Sequence, residues 1–427
     1  MTGLTPQQPA LESAVPDDPR PHVVIVYTDA GGGHRASAQA LRSVLEADGR
    51  YRVTLVNPYR EVLAHLDPFT RFTGRNVEAT YNELVLGGGR TGLFCRGFFI
   101  LSFIAVAFLR RAGRREFARL WAATRPDLVI SVLPVLNPAM IDAIKTYRGG
   151  SVPFAIMMTD WAEISRFVWF PKGTDYAAIS GTEEGLARLR AKRHPEERIF
   201  PTGGLLIRTQ FLEPLPEDIG AARVALGLEA DRPTLVMTYG GHGGPRMVEL
   251  ADTLAAADAQ VQVIFLCGRN ETLARRLQSA HLPFPHLVLG YRDDIHRYLA
   301  LADLFVGKAG PQSISEALAL GLPLLIDEWR VLPQERALTR WVKRSAGGAT
   351  FRRPAQFVRE VQALAARPGS GSTPEVARRN TAAGDILRIV EALLAGEDAT
   401  DAVWISSPSK RPSPSLQRPT KEQAYDG

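Results

Sequence analysis

The sequence predicts an α/β protein of two domains, each built on a parallel sheet. The 427-residue chain is too long for one compact core, and 45% hydrophobic with 22% charged residues is a globular composition. Apolar strands alternate with helical stretches, which is typical of an open parallel sheet. This alternation breaks near residue 212 and then restarts, so we expect two domains, at residues 21–212 and 213–395.

In the first half, apolar and β-branched runs predict five strands with helical stretches between most of them. The first run has no polar alternation, as expected of a strand buried on both faces of its sheet. The predicted strands are residues 22–28, 52–56, 128–133, 153–159 and 175–180. We expect residues 1–20, which are rich in proline, glutamine and acidic groups, to be a disordered lead rather than a secretory signal.

After a proline-rich break at residues 212–231, the second half repeats the pattern. Its predicted strands are residues 234–239, 261–267, 286–289, 304–306 and 322–326. Its predicted helices are residues 246–257, 271–279, 293–301, 312–320 and 334–343. Residues 396–427 are predicted to form a disordered basic tail, because they contain few large apolar groups.

Each half opens with an apolar strand followed by a glycine-rich turn. In the first half, Gly31, Gly32 and Gly33 deliver His34 to the start of a helix, and in the second half the turn spans residues 240–244. Such turns let a ligand approach the backbone, and ligands of parallel sheets bind at the carboxyl ends of the strands. The alternative for the first turn is a packing turn with a solvent-exposed histidine. Neither turn matches the dinucleotide or P-loop fingerprints, so nicotinamide or ATP chemistry is poorly supported.

A third glycine turn follows the strand that begins at residue 304. Gly310, Gln312 and Ser313 lie at or just before a helix N-terminus, where backbone N–H groups favour a phosphate. Glu316 follows one turn later and can accept two ribose hydroxyls, whereas Gln334 and Glu335 follow the next strand at the same sheet edge. A diphosphate beside a ribose and further hydroxyls describes a nucleotide sugar.

An apolar run at residues 97–109 is bracketed by arginines. It is too short to span a bilayer, which needs roughly 20 apolar residues, and it suits a helix lying at an anionic membrane surface. A buried helix with a charged exit is the alternative, and base stacking on nucleic acid fits contiguous phenylalanines less well. The predicted membrane residues are Phe98, Phe99, Phe103, Phe108, Arg110, Arg111, Arg114 and Arg115.

The two cysteines, Cys95 and Cys267, lie far apart and suggest neither a disulfide framework nor a zinc site. We therefore expect a protein of a reducing cytoplasm, without a metal or other cofactor. The net charge of +6 favours an anionic partner.

Four segments together resemble glycosyltransferase family 28, and most of all its branch of monogalactosyldiacylglycerol synthases and processive diacylglycerol glucosyltransferases. They are residues 29–38, 153–161, 290–316 and 321–335. The resemblance implies a GT-B fold, in which two Rossmann-like domains face each other across a cleft. It also implies an inverting, metal-independent transfer of a hexose from UDP-glucose or UDP-galactose to diacylglycerol or a related lipid. The place of reaction would be the inner face of the cell membrane.

The resemblance also assigns roles to residues. His34 resembles the general base, with Asp29 nearby to orient or charge it, and Asp160 at a strand end is the second catalytic candidate. Gly31, Gly32 and Gly33 would give the sugar and acceptor clearance, and Arg246 or Lys308 would compensate the charge of the leaving diphosphate. The expected donor contacts are Gly240, Gly241, Gly243, Lys308, Ala309, Gly310, Pro311, Ser313 and Glu316, with Gln334 and Glu335 on the sugar hydroxyls.

Two other functions stay open at this point. The chain has Gln312-Ser313 where the family usually has Gly-Thr, and the alternative acceptor is a polyprenyl-linked lipid or a soluble metabolite. A catalytically silent protein that binds a nucleotide sugar or a lipid is the third interpretation.

Overall fold

The computed structural model describes residues 18–30, 32–66, 78, 111–162, 169–172, 175–345, 348–365 and 380–400. These residues form two compact units. The first unit contains the chain up to Thr159, then Glu163–Arg208, and the chain from Thr381 through the last helix. The second contains Asp160–Ala162 and Thr209–Asn380. The main boundary therefore falls within a few residues of the predicted one.

The first unit is built on a six-stranded sheet in which every neighbouring pair of strands is parallel, in the order β2-β1-β3-β4-β5-β6. Its strands are β1 His22–Val26, β2 Arg52–Val56, β3 Leu128–Ser131, β4 Phe154–Met157, β5 Ala177–Ser180 and β6 Ile199–Pro201. The β1 strand lies between β2 and β3 and is wholly buried, as its unbroken apolar sequence predicts. The five predicted strands are present, and β6 is additional.

Helices pack against both faces of this sheet. They are α1 Gly33–Asp48, α2 Pro58–Glu61, α3 at residues 111–124, α4 Asn137–Ile144 and α5 Glu183–Ala191. The α1 helix buries Ala38, Leu41 and Leu45 at helical spacing against the sheet. It ends at Gly49, whose φ of 78° is left-handed and whose N–H donates to the Glu46 carbonyl.

The second unit repeats this architecture with the strand order β12-β11-β10-β7-β8-β9, again all parallel. Its strands are β7 Thr234–Thr238, β8 Gln262–Leu266, β9 His286–Leu289, β10 Leu304–Lys308, β11 Leu324–Asp327 and β12 Gly348–Phe351. Its helices are α6 Ile219–Ala225, α7 Arg246–Ala256, α8 Glu271–Gln278, α9 Ile295–Leu299, α10 Pro311–Ala319, α11 Arg336–Arg344 and α12 Pro354–Ala365. The five predicted strands and five predicted helices all occur here.

The last helix, α13 (Ala382–Ala395), corrects the predicted domain division. The sequence analysis placed residues 382–395 in the second domain, whereas α13 belongs to the first unit. Its Ile386, Ile389 and Val390 are buried in the same apolar core as β1. The buried Asp385 carboxylate also accepts a 2.8 Å hydrogen bond from the Gly203 N–H. The predicted lead and tail lie outside the described residues, except residues 18–20 and 396–400.

Candidate functional site

The glycine turn after β1 positions a histidine in the first turn of α1. Gly32 is the residue before the helix, and its φ of 79° is a left-handed conformation that side-chain-bearing residues rarely adopt. Nothing lies within 4 Å of a Cβ built on Gly32 or Gly33, so the turn borders open space. Gly31 lies outside the described residues. His34 follows Gly33 directly and is half-buried.

The His34 ring is held by the ends of two other strands. Its Nδ1 lies 3.1 Å from the carbonyl oxygen of Val132, after β3, and 2.8 Å from the Thr159 hydroxyl, after β4. The Trp169 ring lies beside it, with centroids 5.7 Å apart. Because the Val132 carbonyl can only accept, Nδ1 carries the hydrogen and Nε2 carries the lone pair that a general base needs.

Asp29 is nearly buried and pairs with two arginines. Its carboxylate lies 2.7 Å from the Arg60 guanidinium and 3.4 Å from that of Arg35. The His34 ring contacts Val132, Thr159 and Trp169. At Nδ1, a carbonyl and a hydroxyl orient the His34 ring, and the orienting role expected of Asp29 stays a prediction.

Glu78 is a residue of this region that the sequence analysis missed. Its carboxylate is 1% exposed and accepts hydrogen bonds from the Thr28 hydroxyl at 2.5 Å and the Asp29 N–H at 2.6 Å. The Asn57 amide donates to it at 3.0 Å, and the Arg60 guanidinium at 3.3 Å. Glu78 therefore ties the segment before the glycine turn to the end of β2. Glu78 lies 49 residues after Asp29 in the sequence, so no local sequence pattern predicts that the two are in contact.

The second unit gathers the predicted donor residues at the carboxyl ends of β7 and β10. A Cβ on Gly240 would lie 3.4 Å from Lys308 Cε, and one on Gly310 would lie 3.8 Å from the same atom and 3.9 Å from Ser313 Oγ. Gly240 has a φ of 81°. The α10 helix begins at Pro311, and Gly310 before it has no side chain to cap the first turn. An ammonium group and a helix N-terminus therefore border one space, which suits a diphosphate. Ala309 is buried, so only its backbone can take part.

Two acidic residues of this segment are buried and held. Gln312 donates to the Glu316 carboxylate at 3.3 Å. Glu335 accepts from the Leu332 N–H at 3.0 Å and lies 3.7 Å from the Lys308 ammonium. Burial raises the pKa of Glu335, and the Lys308 charge opposes that rise. The structure thus brings Lys308, Gly310, Ser313 and Glu335 together.

Arg246 does not fill the role expected of it. It is 4% exposed, and its guanidinium pairs with Asp327 at 3.0 Å and with Glu249 at 2.7 Å. The third nitrogen donates to the Arg352 carbonyl at 2.7 Å. Because all three nitrogens have protein partners, Arg246 holds the sheet edge together. A sequence does not reveal that an arginine is buried.

The loop at residues 240–244 brings a second basic group that the sequence analysis missed. Burial lowers the pKa of His242, and the charges of Arg269 and Lys308 lower it further. The Arg269 N–H donates to the Gly241 carbonyl at 2.8 Å, and its guanidinium lies 4.5 Å from the ring centre of Tyr291. Tyr291 is 52% exposed. The loop at residues 240–244 and the turn at Arg269 thus lie side by side, and both carry basic groups.

Asp160, the second catalytic candidate, groups by its contacts with the second unit. Its charge raises the pKa of Glu335, after the larger effect of burial. Its neighbour Trp161 packs on Trp341 of α11, with ring centroids 4.7 Å apart. Asp160 is therefore close enough to Glu335, in the donor segment, for its charge to raise the pKa of that residue.

Most of the predicted membrane segment, including Phe98, Phe99, Phe103, Phe108 and Arg110, lies outside the described residues. Of the described part, Arg111, Arg114 and Arg115 are exposed on α3. Among the described residues, no helix combines the length and hydropathy that a bilayer crossing requires. The described residues also contain no cluster of three or more histidine, cysteine, aspartate or glutamate side chains arranged for a metal ion.

Comparison with known proteins identifies relatives for both units. Residues 234–326 match the glycosyltransferase family 28 C-terminal domain. A probable chloroplastic monogalactosyldiacylglycerol synthase of Nicotiana tabacum is 28% identical over 334 residues, which cover 74% of this chain and 60% of that protein. Monogalactosyldiacylglycerol synthase 3 of Arabidopsis thaliana is 27% identical over 360 residues, covering 79% of this chain and 73% of that protein. This chain thus spans less than two thirds of the tobacco protein.

Solved structures confirm the fold. MurG of Acinetobacter baumannii superposes with a TM-score of 0.54 at 13% identity, covering 87% of this chain and 99% of that one. UGT71G1 of Medicago truncatula, solved with UDP-glucose, gives a TM-score of 0.56 at 12% identity and covers 88% and 98%. With two six-stranded parallel sheets, the chain has the GT-B fold.

Proposed function

We propose that this chain, whose residues 234–326 match the glycosyltransferase family 28 C-terminal domain, transfers a hexose from a UDP-sugar to a membrane lipid, with diacylglycerol as the acceptor. The main observation in support is the cluster of Lys308, Gly240, Gly310 and Ser313. All four residues lie within the region that matches the family's C-terminal domain. The matched tobacco and Arabidopsis proteins, which are monogalactosyldiacylglycerol synthases by name, support the lipid acceptor.

In this proposal the second unit holds the donor. Lys308 and the N-terminus of α10 bind the diphosphate, and His242 adds charge on the loop at residues 240–244 only when a fall in pH protonates it. Glu316 accepts the ribose hydroxyls, and Gln334 and Glu335 contact the sugar. Transfer separates the sugar from a diphosphate whose negative charge grows, so fixed positive groups there stabilise the transition state.

The first unit activates the acceptor. His34 Nε2 takes the proton of the acceptor hydroxyl as that oxygen attacks the anomeric carbon, and UDP leaves from the opposite face, which inverts the configuration. The Nδ1 contacts with Val132 and Thr159 fix the ring for this task. Asp160 is a second candidate for assisting the proton transfer.

The enzyme acts, in our proposal, as a peripheral protein on the inner face of the cell membrane. The exposed Arg111, Arg114 and Arg115 support binding to anionic headgroups, because guanidinium groups pair with phosphates. The apolar run at residues 97–109 would insert at the boundary of the acyl chains.

The test is to incubate the full chain with phosphatidylcholine liposomes that contain diacylglycerol, separately with UDP-glucose, UDP-galactose and UDP-N-acetylglucosamine. We expect a monoglycosyldiacylglycerol by mass spectrometry with a UDP-hexose, and none with Lys308→Ala. Absence of product with every donor, or transfer only to a soluble acceptor without liposomes, would contradict the proposal.

We also propose that the transfer needs no metal ion, because Lys308 and the helix N-terminus supply the positive charge. Treatment with EDTA should leave the initial rate of glycolipid formation unchanged. A rate that collapses with EDTA and returns with Mg²⁺ would contradict this part of the proposal alone.

A further inference from the structure

One buried amide ties together two segments that contact the His34 ring. It is the side chain of Asn137, the first residue of α4, which is 0% exposed. Its Nδ2 donates to the Leu133 carbonyl at 3.2 Å and to the Trp169 carbonyl at 3.0 Å. Its Oδ1 accepts a hydrogen bond of 2.6 Å from the Ser131 hydroxyl. Asn137 thus joins the end of β3 to the loop that carries Trp169.

The orientation of this amide is fixed by its partners. The carbonyl oxygens of Leu133 and Trp169 can only accept hydrogen bonds, so both must face the amide nitrogen. The Ser131 hydroxyl can donate, and it faces the amide oxygen. Rotating the amide by half a turn would set its oxygen against two carbonyl oxygens and break both of their hydrogen bonds. The three partners therefore hold the Asn137 side chain in one orientation.

The amide also fixes the carbonyl that faces His34 Nδ1. That carbonyl belongs to Val132, which lies between Ser131 and Leu133 in the chain. Because Asn137 is hydrogen-bonded to both flanking residues, the peptide that carries the Val132 oxygen cannot rotate without breaking a buried hydrogen bond. The position of the acceptor at Nδ1 thus depends on Asn137.

The loop between β3 and α4 needs this support, because its backbone is strained. Val135 has a φ of 82°, in the left-handed region that a β-branched residue rarely adopts. Such a conformation costs about 1–3 kcal/mol and persists only where the surrounding structure holds it. The hydrogen bond from Asn137 to the Leu133 carbonyl closes the loop across Val135. The same bond therefore stabilises the strained loop and the segment that faces His34.

The second hydrogen of the amide fixes the aromatic neighbour of the base. It is donated to the backbone of Trp169, whose buried ring lies 5.7 Å from the His34 ring between centroids. The next carbonyl, that of Phe170, accepts a hydrogen bond of 2.7 Å from Lys192 Nζ. Two successive carbonyls of this loop are thus held by side chains, so the Trp169 ring packs beside His34 from a fixed backbone.

We propose that Asn137 is a positioning residue for the base His34. It holds the Val132 carbonyl at Nδ1 and the Trp169 ring beside the imidazole, so that Nδ1 keeps its hydrogen and Nε2 keeps its lone pair. Being 0% exposed, Asn137 does not itself contact a substrate. The inference deepens the proposed function, because it rests on His34 acting as the base there.

The first measurement is the tautomer of the His34 ring, which needs no substrate. Proton–nitrogen correlation spectra of the full chain with isotopically labelled histidine distinguish the two tautomers, and the spectrum of His34→Gln assigns the signals. At about pH 8, where an ordinary histidine is neutral, we expect the hydrogen on Nδ1 in wild type. Asn137→Leu has a similar shape but no hydrogen-bonding group, and should give signals of a mixture of both tautomers.

The second measurement is steady-state kinetics on diacylglycerol liposomes. We expect the kcat of Asn137→Leu to fall about 10–10²-fold, because a misplaced base reacts slowly, with little change in the KM for the UDP-sugar. Gln262→Leu is the matched control. Gln262 is also 0% exposed and donates to two carbonyls, at 2.7 and 3.2 Å, but it lies at the start of β8, away from the carboxyl ends of the strands. This control should lose stability and keep the kcat and the tautomer of wild type.

If Asn137→Leu does not fold, Ser131→Ala takes its place. It removes the hydroxyl that holds the amide oxygen, and should change both readouts in the same direction by less. A wild-type tautomer or an unchanged kcat in the variant overturns the proposal, as does an equal fall of kcat in Gln262→Leu. If wild type forms no glycolipid with any donor, the proposed function fails, and the tautomer alone decides whether Asn137 positions the ring.

Discussion

At the scale of single residues, the proposed chemistry depends on how the His34 ring is held. A carbonyl and a hydroxyl at Nδ1 fix the tautomer, so Nε2 is the atom that accepts a proton. The sequence indicated the histidine and its glycine turn. It did not indicate Val132 or Thr159, which are about 100 residues or more away in the chain and are brought close only by the strand order.

Replacing Thr159 by valine tests this arrangement. The Thr159→Val variant keeps the shape of the side chain but removes one contact to Nδ1, so we expect kcat to fall about tenfold from a misoriented base, with little change in the KM for the UDP-sugar. Steady-state kinetics on diacylglycerol liposomes measure both constants. Thr159→Ser should restore most of kcat, and a change confined to KM would contradict a positioning role.

His242 should make donor binding depend on pH. Burial and two neighbouring cations hold its pKa below the ordinary 6.5, so it is neutral near pH 7 and gains a proton as the pH falls. The diphosphate of a UDP-sugar keeps its charge over this range. We therefore expect the affinity for UDP-glucose or UDP-galactose to rise as the pH falls below 6.5.

Isothermal titration at several pH values measures that slope. The His242→Gln variant should bind the donor with an affinity that changes less with pH. An identical pH dependence in wild type and variant would show that His242 does not contact the diphosphate.

Glu78 should stabilise the first unit. Its buried carboxylate holds Thr28, Asp29 and Asn57, so Glu78→Gln is expected to lower the free energy of unfolding by about 1–3 kcal/mol. Urea denaturation measures the change. Glu46→Gln, which removes an exposed ion pair with Arg42, is the matched control and should cost about 0.5 kcal/mol or less. Equal effects of the two variants would contradict the role of Glu78.

At the scale of elements, the sequence predicted ten of the twelve strands of the described residues and missed β6 and β12. The predicted strands at residues 52–56 and 286–289 have the observed bounds. The missed strands, β6 and β12, have three and four residues and lie at sheet edges. Such strands form because a neighbour offers hydrogen bonds, and Gly348-Ala349-Thr350-Phe351 has no apolar run of its own.

The α13 helix is the clearest case of packing that no local pattern reveals. Its apolar face predicts a buried helix, but not which of two similar cores covers it. We expect Ile389→Ala, in the core shared with β1, to lower the free energy of unfolding of the first unit by about 2–5 kcal/mol.

The matched control for α13 is Glu391→Ala, which removes an exposed group of the same helix and should have little effect. Denaturation followed by hydrogen exchange assigns the loss to a unit. Destabilisation confined to the second unit would contradict the placement of α13.

At the scale of the whole molecule, the repeated pattern of strand, glycine turn and helix was enough to predict two parallel sheets. The family resemblance added the GT-B fold, which the comparisons confirm. What the sequence could not supply was the state of individual charges. Arg246 is buried in ion pairs, whereas the arginines of α11 are exposed around a cavity, and only tertiary packing distinguishes them.

The central claim is that the first unit supplies the base and the second unit supplies the donor site. The most direct test compares wild type with His34→Gln for two quantities, the initial rate of glycolipid formation and the Kd for UDP. We predict that the rate falls by about 10²–10⁴-fold, as expected when a general base is lost, while the Kd for UDP stays the same. An unchanged rate, or a loss of UDP binding equal to the loss of rate, would contradict the account.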